Sequence, residues 1–169
     1  RPPLLVKVSP DLSPDALRDI AVVAKQVGVD GIIISNTTNA RPSSLQSTHR
    51  GETGGLSGRP LMGAATRQLH SLYEATGGDI PLIGVGGVAS GDDAYRKIRA
   101  GASLVQIYSA LSFQGPGMVR RVKRRLAALL ERDGFESVAD AVGADHATVG
   151  GRNNFNCPPR PRSWFSWWW

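Results

Sequence analysis

Short β-branched runs alternate along this chain with stretches in which apolar residues recur every three or four positions. Leu4–Val8 is the first run, closed by Ser9-Pro10-Asp11. Ser13-Pro14 then offers an N-cap with proline at the first helical position. Leu17, Ile20, Ala21, Ala24 and Val27 follow at helical spacing, and Gly28 suits a left-handed stop. Ile32-Ile33-Ile34 is apolar on both faces, as in a buried parallel strand. The spacing of Leu61, Ala65, Leu69 and Leu72 predicts a helix over Leu61–Ala75. A strand over Pro81–Val85, a helix over Asp92–Ala100 and a strand over Ser103–Ile107 come next. An amphipathic helix over Gly117–Arg132 closes the series, before a short turn around Val138–Val142.

Four strands, each followed by a helix, predict an α/β fold with a parallel sheet and right-handed crossovers. An open doubly wound sheet would satisfy this pattern. The glycines favour a (β/α)8 TIM barrel, because they gather after the last two strands, in Gly84-Val85-Gly86-Gly87 and at Gly115-Pro116-Gly117. Loops at those places in such barrels commonly form a phosphate site. A whole barrel needs about 250 residues and eight strands. The expectation is therefore the C-terminal half of a barrel, with four parallel strand–helix units over residues 1–146.

Composition changes the picture at the far end. The chain has 169 residues, 41% of them hydrophobic, which allows a sizeable core. All four tryptophans, the single cysteine (Cys157) and three arginines lie in Ala147–Trp169, which has no acid. Without that segment, the formal charge of +6 falls to +3, the difference being those three arginines. Its prolines oppose helix and strand alike, so residues 147–169 are expected to be a disordered tail outside the fold. The closing Trp-rich run would also suit a lipid interface. One cysteine excludes a disulfide framework and a cysteine-rich zinc site. No apolar stretch is long enough to cross a bilayer, and Arg1-Pro2-Pro3-Leu4 is neither a signal nor a transit peptide.

Candidate chemistry sits at the strand ends. Gly84-Val85-Gly86-Gly87-Val88-Ala89-Ser90-Gly91 leads from a strand into a helix, where backbone amides and the helix dipole can hold an anion. No acidic residue follows on a strand end about 20 residues later, so a single phosphate suits it better than a dinucleotide; a tight turn alone is the other reading. Ser35-Asn36-Thr37-Thr38 places adjacent hydrogen-bonding side chains at the second strand's end, either as a ligand edge or as a polar loop start. Asn36–Arg59, 24 residues counted inclusively, has no clear period. Within it, Glu52-Thr53-Gly54-Gly55-Leu56-Ser57-Gly58 fits a ligand-approaching loop or a flexible surface one. Lys7 interrupts an apolar strand expected to be buried, a costly position unless it meets an anion or its stem reaches solvent.

The run Arg120–Arg125 is interleaved with aliphatic residues and no aromatic platform, as on a solvated outer face, so no nucleic-acid partner is expected. His49, His70 and His146 are read as scattered surface residues without metal-ligand partners, and no metal is expected. No catalytic triad can be assembled.

Collinear motifs over Arg1–His146 resemble the dihydroorotate dehydrogenase family. They are Leu5-Val6-Lys7-Val8-Ser9-Pro10-Asp11-Leu12, Ser35-Asn36-Thr37-Thr38, Glu52 to Leu61, Ile83-Gly84-Val85-Gly86-Gly87-Val88, Arg99 to Leu111 and Gly143-Ala144-Asp145-His146. Gly54-Gly55-Leu56-Ser57-Gly58-Arg59-Pro60-Leu61 is similar to the membrane-associated, quinone-using class. The similarity is expected to stop after His146.

The resemblance implies an FMN-binding barrel that oxidises dihydroorotate to orotate in pyrimidine biosynthesis, with quinone as electron acceptor. Carried over by motif, Lys7, Ser35, Gly58, Gly87, Tyr108 and Ser109 belong to the FMN site, and Asn36 and Thr37 hold the orotate ring. A cation at Lys7 would favour the anionic reduced flavin. The family's catalytic base is a serine in the first half-barrel, so no catalytic residue is assigned here, and Ser57 does not match that motif. Membrane attachment would come from an N-terminal region outside this chain. The implied location is the mitochondrial inner membrane, with a bacterial cytoplasmic membrane as the alternative. The chain alone is expected to be inactive; the remaining alternatives are another FMN-dependent oxidoreductase and a non-catalytic phosphate- or flavin-binding half-barrel.

Overall fold

The computed structural model describes residues 1–149, and residues 150–169, most of the expected disordered tail, lie outside them. Strands β1 (Leu5–Val8), β2 (Gly31–Ile34), β3 (Leu82–Gly84) and β4 (Ala102–Val105) form one parallel sheet in the order β1-β2-β3-β4. Helices α1 (Pro14–Val27), α2 (Met62–Thr76) and α3 (Gly91–Arg99) connect successive strands. After β4 come α4 (Ser109–Gln114), α5 (Gly117–Arg132) and α6 (Val138–Ala141). The strand–helix alternation is the predicted one, with boundaries moved by one or two residues.

The caps explain the boundaries. Ser13 Oγ accepts from Ala16 N–H at 3.2 Å, with Pro14 opening α1, and Gly28 ends it at φ 72°. The helix expected from Leu61 starts one residue later, because Arg59–Leu61 forms a 3-10 turn leading into it. The turn expected at Val138–Val142 is a helical turn with a capping box between Ser137 and Asp140. Helix α4 was not apparent from the sequence, since six residues are too few to establish a helical period.

One face of the sheet carries the main core. Val8, Ile32, Ile34, Leu82 and Ala102 point there and meet Leu17, Ala21 and Ala24 of α1 and Leu69 and Leu72 of α2. A second cluster joins Tyr95 and Ile98 of α3 to Leu129 and Leu130 of α5. A third sets Val88 and Ala94 against Met118 and Val122. The opposite sheet face is open at both margins. Leu5, Lys7 and Leu104 are exposed there, so the expectation that the first strand is buried is corrected. β1 pairs only with β2 and is an edge strand of this sheet, which leaves its inner side chains uncovered.

Tyr73 of α2 is enclosed by backbone. A Cβ on Gly78 would lie 3.0 Å from its hydroxyl oxygen, one on Gly143 2.5 Å from the ring, and one on Gly101 would overlap it. All three glycines have positive φ.

Lys97 of α3 is wholly buried, and its Nζ has no hydrogen-bond partner among the described residues. Burial lowers its pKa from the usual 10.5 to about 8, against the opposing pull of Asp93. The ammonium is therefore charged at neutral pH and bears a desolvation cost of about 3 kcal/mol at most. That cost is present in full below about pH 8, where both folded and unfolded chains are protonated. It fades as pH rises from about 8 towards 10.5, where only the unfolded chain still holds the proton. Lys97→Met is expected to raise the unfolding free energy at pH 7 by about 1–3 kcal/mol. Urea denaturation should show the gain shrinking over the alkaline range; destabilisation at pH 7 would contradict this account.

Candidate functional site

All four strands run the same way, so the loops that follow them meet at one edge of the sheet. There they enclose a hollow of about 320 Å³. Lys7, Ser35, Asn36, Thr37, Gly58, Gly87, Tyr108 and Ser109 all line it. These residues span about a hundred positions of chain, and none lies elsewhere. Lys7 is exposed towards the hollow, so the cost expected for a buried lysine does not arise. Ser35 is 2% exposed and donates to Asn36 O at 3.0 Å. Asn36 Oδ1 accepts from Thr37 N–H at 2.9 Å, which fixes the orientation of the amide. Tyr108 is 81% exposed, and Ser109 Oγ lies 3.1 Å from Ser57 Oγ.

The long Asn36–Arg59 segment is tied down at several points. Thr38 and Leu56 form an antiparallel bridge, with N···O separations of 3.1 and 2.8 Å. Thr38 Oγ1 donates to the Asp11 carboxylate, which also accepts from Asn39 N–H at 2.8 Å. Arg41 reaches across the loop and donates to Glu52 O at 2.8 Å and Gly54 O at 2.6 Å. These bonds give the segment a defined course beside the hollow.

The two glycine-rich loops share one buried carboxylate. Asp93 Oδ2 accepts from Arg59 Nη1 at 2.9 Å, Ser90 Oγ at 2.8 Å and Ala89 N–H at 3.1 Å. Ser90 Oγ in turn accepts from Asp93 N–H at 3.1 Å, capping α3. Sequence reasoning missed this brace. The Ser90-x-x-Asp93 spacing was the available signal, since a short acid three residues after serine can close a cap. The Arg59 partner had no local signal, being 34 residues away.

Two glycines prove necessary for protein contacts. At Gly87, φ is +76° and a Cβ would lie 2.5 Å from Met62 Cβ and 2.7 Å from Met62 N. The start of α2 thus forbids a side chain there. At Gly55, a Cβ would overlap Thr37 Oγ1 and come within 2.5 Å of Thr37 Cβ.

The histidines need a correction. His49 stays on the surface, paired with Glu52 at 2.7 Å. His70 and His146 are not scattered: their rings stack with centroids 3.8 Å apart beside Glu74. The i,i+4 spacing of His70 and Glu74 was legible, but the approach of His146 depends on tertiary packing.

The family model for dihydroorotate dehydrogenase matches residues 1–130. This chain belongs to the dihydroorotate dehydrogenase family. It is 63% identical over 145 residues to a dihydroorotate dehydrogenase (quinone) of Xanthobacter autotrophicus, covering 86% of this chain and 41% of that protein. The mitochondrial enzyme of that name from Mus musculus is 56% identical over 146 residues, 86% of this chain and 37% of its own length. A Rhodospirillum rubrum relative named as the quinone enzyme is 57% identical over 161 residues, 95% of this chain and 44% of its own. That span passes His146, which corrects the expectation that similarity ends there. The crystal structure of dihydroorotate dehydrogenase from Eimeria tenella in complex with ferulenol superposes with a TM-score of 0.84 at 48% identity, covering 86% of this chain and 39% of that one. Family members are flavin-dependent TIM-barrel oxidoreductases. The chain spans about two fifths of the length of the relatives it matches.

Gly55 gives the site a clean steric test. Gly55→Ala is expected to cost about 1–2 kcal/mol through overpacking. Thr37→Gly removes the atoms that a new methyl would strike, so the double variant should recover most of the loss. A double-mutant cycle by chemical denaturation measures this; strictly additive effects would mean the two residues do not meet.

Proposed function

We propose that this chain forms the flavin- and substrate-facing wall of a quinone-linked dihydroorotate dehydrogenase, with FMN as its flavin. The observation that carries the proposal is the convergence of eight motif residues from four strand ends on one hollow. When bound, FMN would supply the chemistry of accepting a hydride from C6 of dihydroorotate and delivering electrons to a quinone.

The residues present fit such a group. Lys7 brings a cation to one wall, suited to a flavin ring that gains negative charge on reduction. Ser35 lies at the end of the neighbouring strand as a polar contact to the same group. Gly58, Gly87, Tyr108 and Ser109 surround the part of the hollow suited to its phosphate. Ser109 opens α4, whose first turn has no side-chain cap, so its leading amides remain available to an anion. Asn36 and Thr37 present an amide and a hydroxyl to the dihydroorotate or orotate ring. The Thr37 N–H bond turns the Asn36 carbonyl inward along the chain and leaves its NH2 group to donate.

Removal of the C5 proton is assigned to no residue of this chain, and Ser57 is held by Ser109 instead. The chain alone is therefore expected to bind flavin without turnover. A membrane location follows from the quinone partner; relatives include bacterial enzymes and a mouse mitochondrial one. Pairing Asp92 with Arg125 at 2.8 Å neutralises part of the basic α5 face, which supports a solvated surface over a nucleic-acid one.

Titrating FMN and riboflavin separately into the purified chain tests the reading through flavin fluorescence. FMN is expected to bind at least about tenfold tighter, because only FMN carries the anion that the loop amides and helix ends favour. Lys7→Met should weaken both flavins, and Asn36→Ala should weaken orotate binding while sparing FMN. Equal affinity for the two flavins would overturn the phosphate cradle, and dihydroorotate-dependent quinone reduction by the chain alone would overturn the assignment of the base elsewhere.

A further inference from the structure

We propose that His70, Glu74 and His146 form a binding site for a divalent transition-metal ion of the zinc class, which clasps residues 143–146 onto α2. The site is separate from the hollow and uses none of its lining residues. One candidate ligand atom from each side chain lies within 4.8 Å of the other two. Glu74 Oε1 lies beside the stacked rings, 3.7 Å from His70 Nδ1 and 3.6 Å from His146 Nδ1. A tetrahedral ion with bonds of about 2.0–2.1 Å needs donor atoms roughly 3.4 Å apart. His70 and Glu74 can close that gap by small side-chain rotations, because their side chains are 39% and 61% exposed.

His146 is the prearranged ligand. Its ring is sandwiched by His70 and Tyr73, with centroids 3.8 and 4.7 Å away. Its Nε2 lies 3.2 Å from Ala100 O, and a carbonyl can only accept, so Nε2 carries the proton. In the neutral ring, this leaves the Nδ1 lone pair directed towards Glu74. That Nδ1 is shielded from water and has no hydrogen-bond partner among the described residues. A lone pair facing a carboxylate oxygen is unfavourable unless a cation lies between them. Donation from the far ring nitrogen to a backbone carbonyl is also how ligating histidines are commonly oriented.

The surrounding backbone is equally fixed. Gly143 N–H donates to Ile98 O at 3.1 Å and His146 N–H to Gly143 O at 2.9 Å. His70 and Glu74 occupy i and i+4 on α2, one above the other on a single helix face. Two imidazoles and one carboxylate favour zinc, nickel or copper over magnesium, which prefers an all-oxygen shell. Three protein ligands leave a fourth position to solvent, so the ion would exchange and act as a removable staple between α2 and the segment after α6.

Zinc titration by calorimetry on the full chain, in a Cys157→Ser background that removes its one thiol, tests the site. The expected result is one zinc per chain at micromolar affinity and a higher thermal midpoint with zinc than with chelator. His70→Ala and Glu74→Gln alter exposed side chains and should leave the circular dichroism unchanged while weakening zinc binding about 10–100-fold. His49→Ala should bind as the parent does, and magnesium should not reproduce the effect. Equal zinc affinity in the parent and in His70→Ala or Glu74→Gln would overturn the proposal, as would an absence of saturable binding.

Discussion

Parallel pairing imposes one constraint on everything else in this molecule. When four strands point the same way, every loop that carries chemistry leaves from the same rim, whatever the sequence distance between them. Convergence alone would give a cluster of mobile loops. What turns the rim into a site is the set of polar anchors beneath it. Asp93 binds the loop before α2 to the loop before α3, and Asp11 binds the end of β1 to Thr38 after β2. Each anchor is a carboxylate taking several donors at once. Charge-assisted bonds of this kind are the strong members of their class, and burial of Asp93 makes its full set obligatory.

The elements of the fold were legible because their signals are local. Ser13-Pro14 and Gly28 mark the ends of α1 within the residues that form it, and the apolar triplet Ile32–Ile34 can be recognised without knowing its neighbours. Much of the candidate site was legible for a different reason: its residues lie in compact motifs at strand ends, so placing the strands placed them too. The braces were not legible. Arg59 and Asp93, Asp11 and Thr38, and His70 and His146 are separated by 27 to 76 positions, and only the packed structure brings them together. The burial of β1 was misjudged because an apolar run does not reveal whether its strand has a neighbour on each side.

Charge follows the same division between local and global. The basic run on α5 looks like a positive stripe in sequence. In the folded chain, Arg125 meets Asp92 of α3, and Arg132 meets Asp133 at 2.7 Å. Hydrogen bonding to Arg132 and to the Tyr95 hydroxyl holds the Asp133 carboxyl far below the usual carboxylate range. Arg125 is therefore answered by an acid 33 positions away that the one-dimensional reading could not align with it, whereas Arg132 pairs with its own sequence neighbour. Lys97 is the opposite case, a charge on an amphipathic helix that ends up inside, beneath the loops.

The enclosure of Tyr73 bears on how such a sequence can drift over generations. A smaller residue there would open a void walled by Gly78, Gly101 and Gly143, and the usual remedy is a larger neighbour. None of the three can readily enlarge, since each occupies a left-handed backbone conformation that side chains resist. Substitutions at these four positions thus have few second-site suppressors, and lineages carrying this packing would be expected to inherit it whole or to replace it only by rebuilding several turns together.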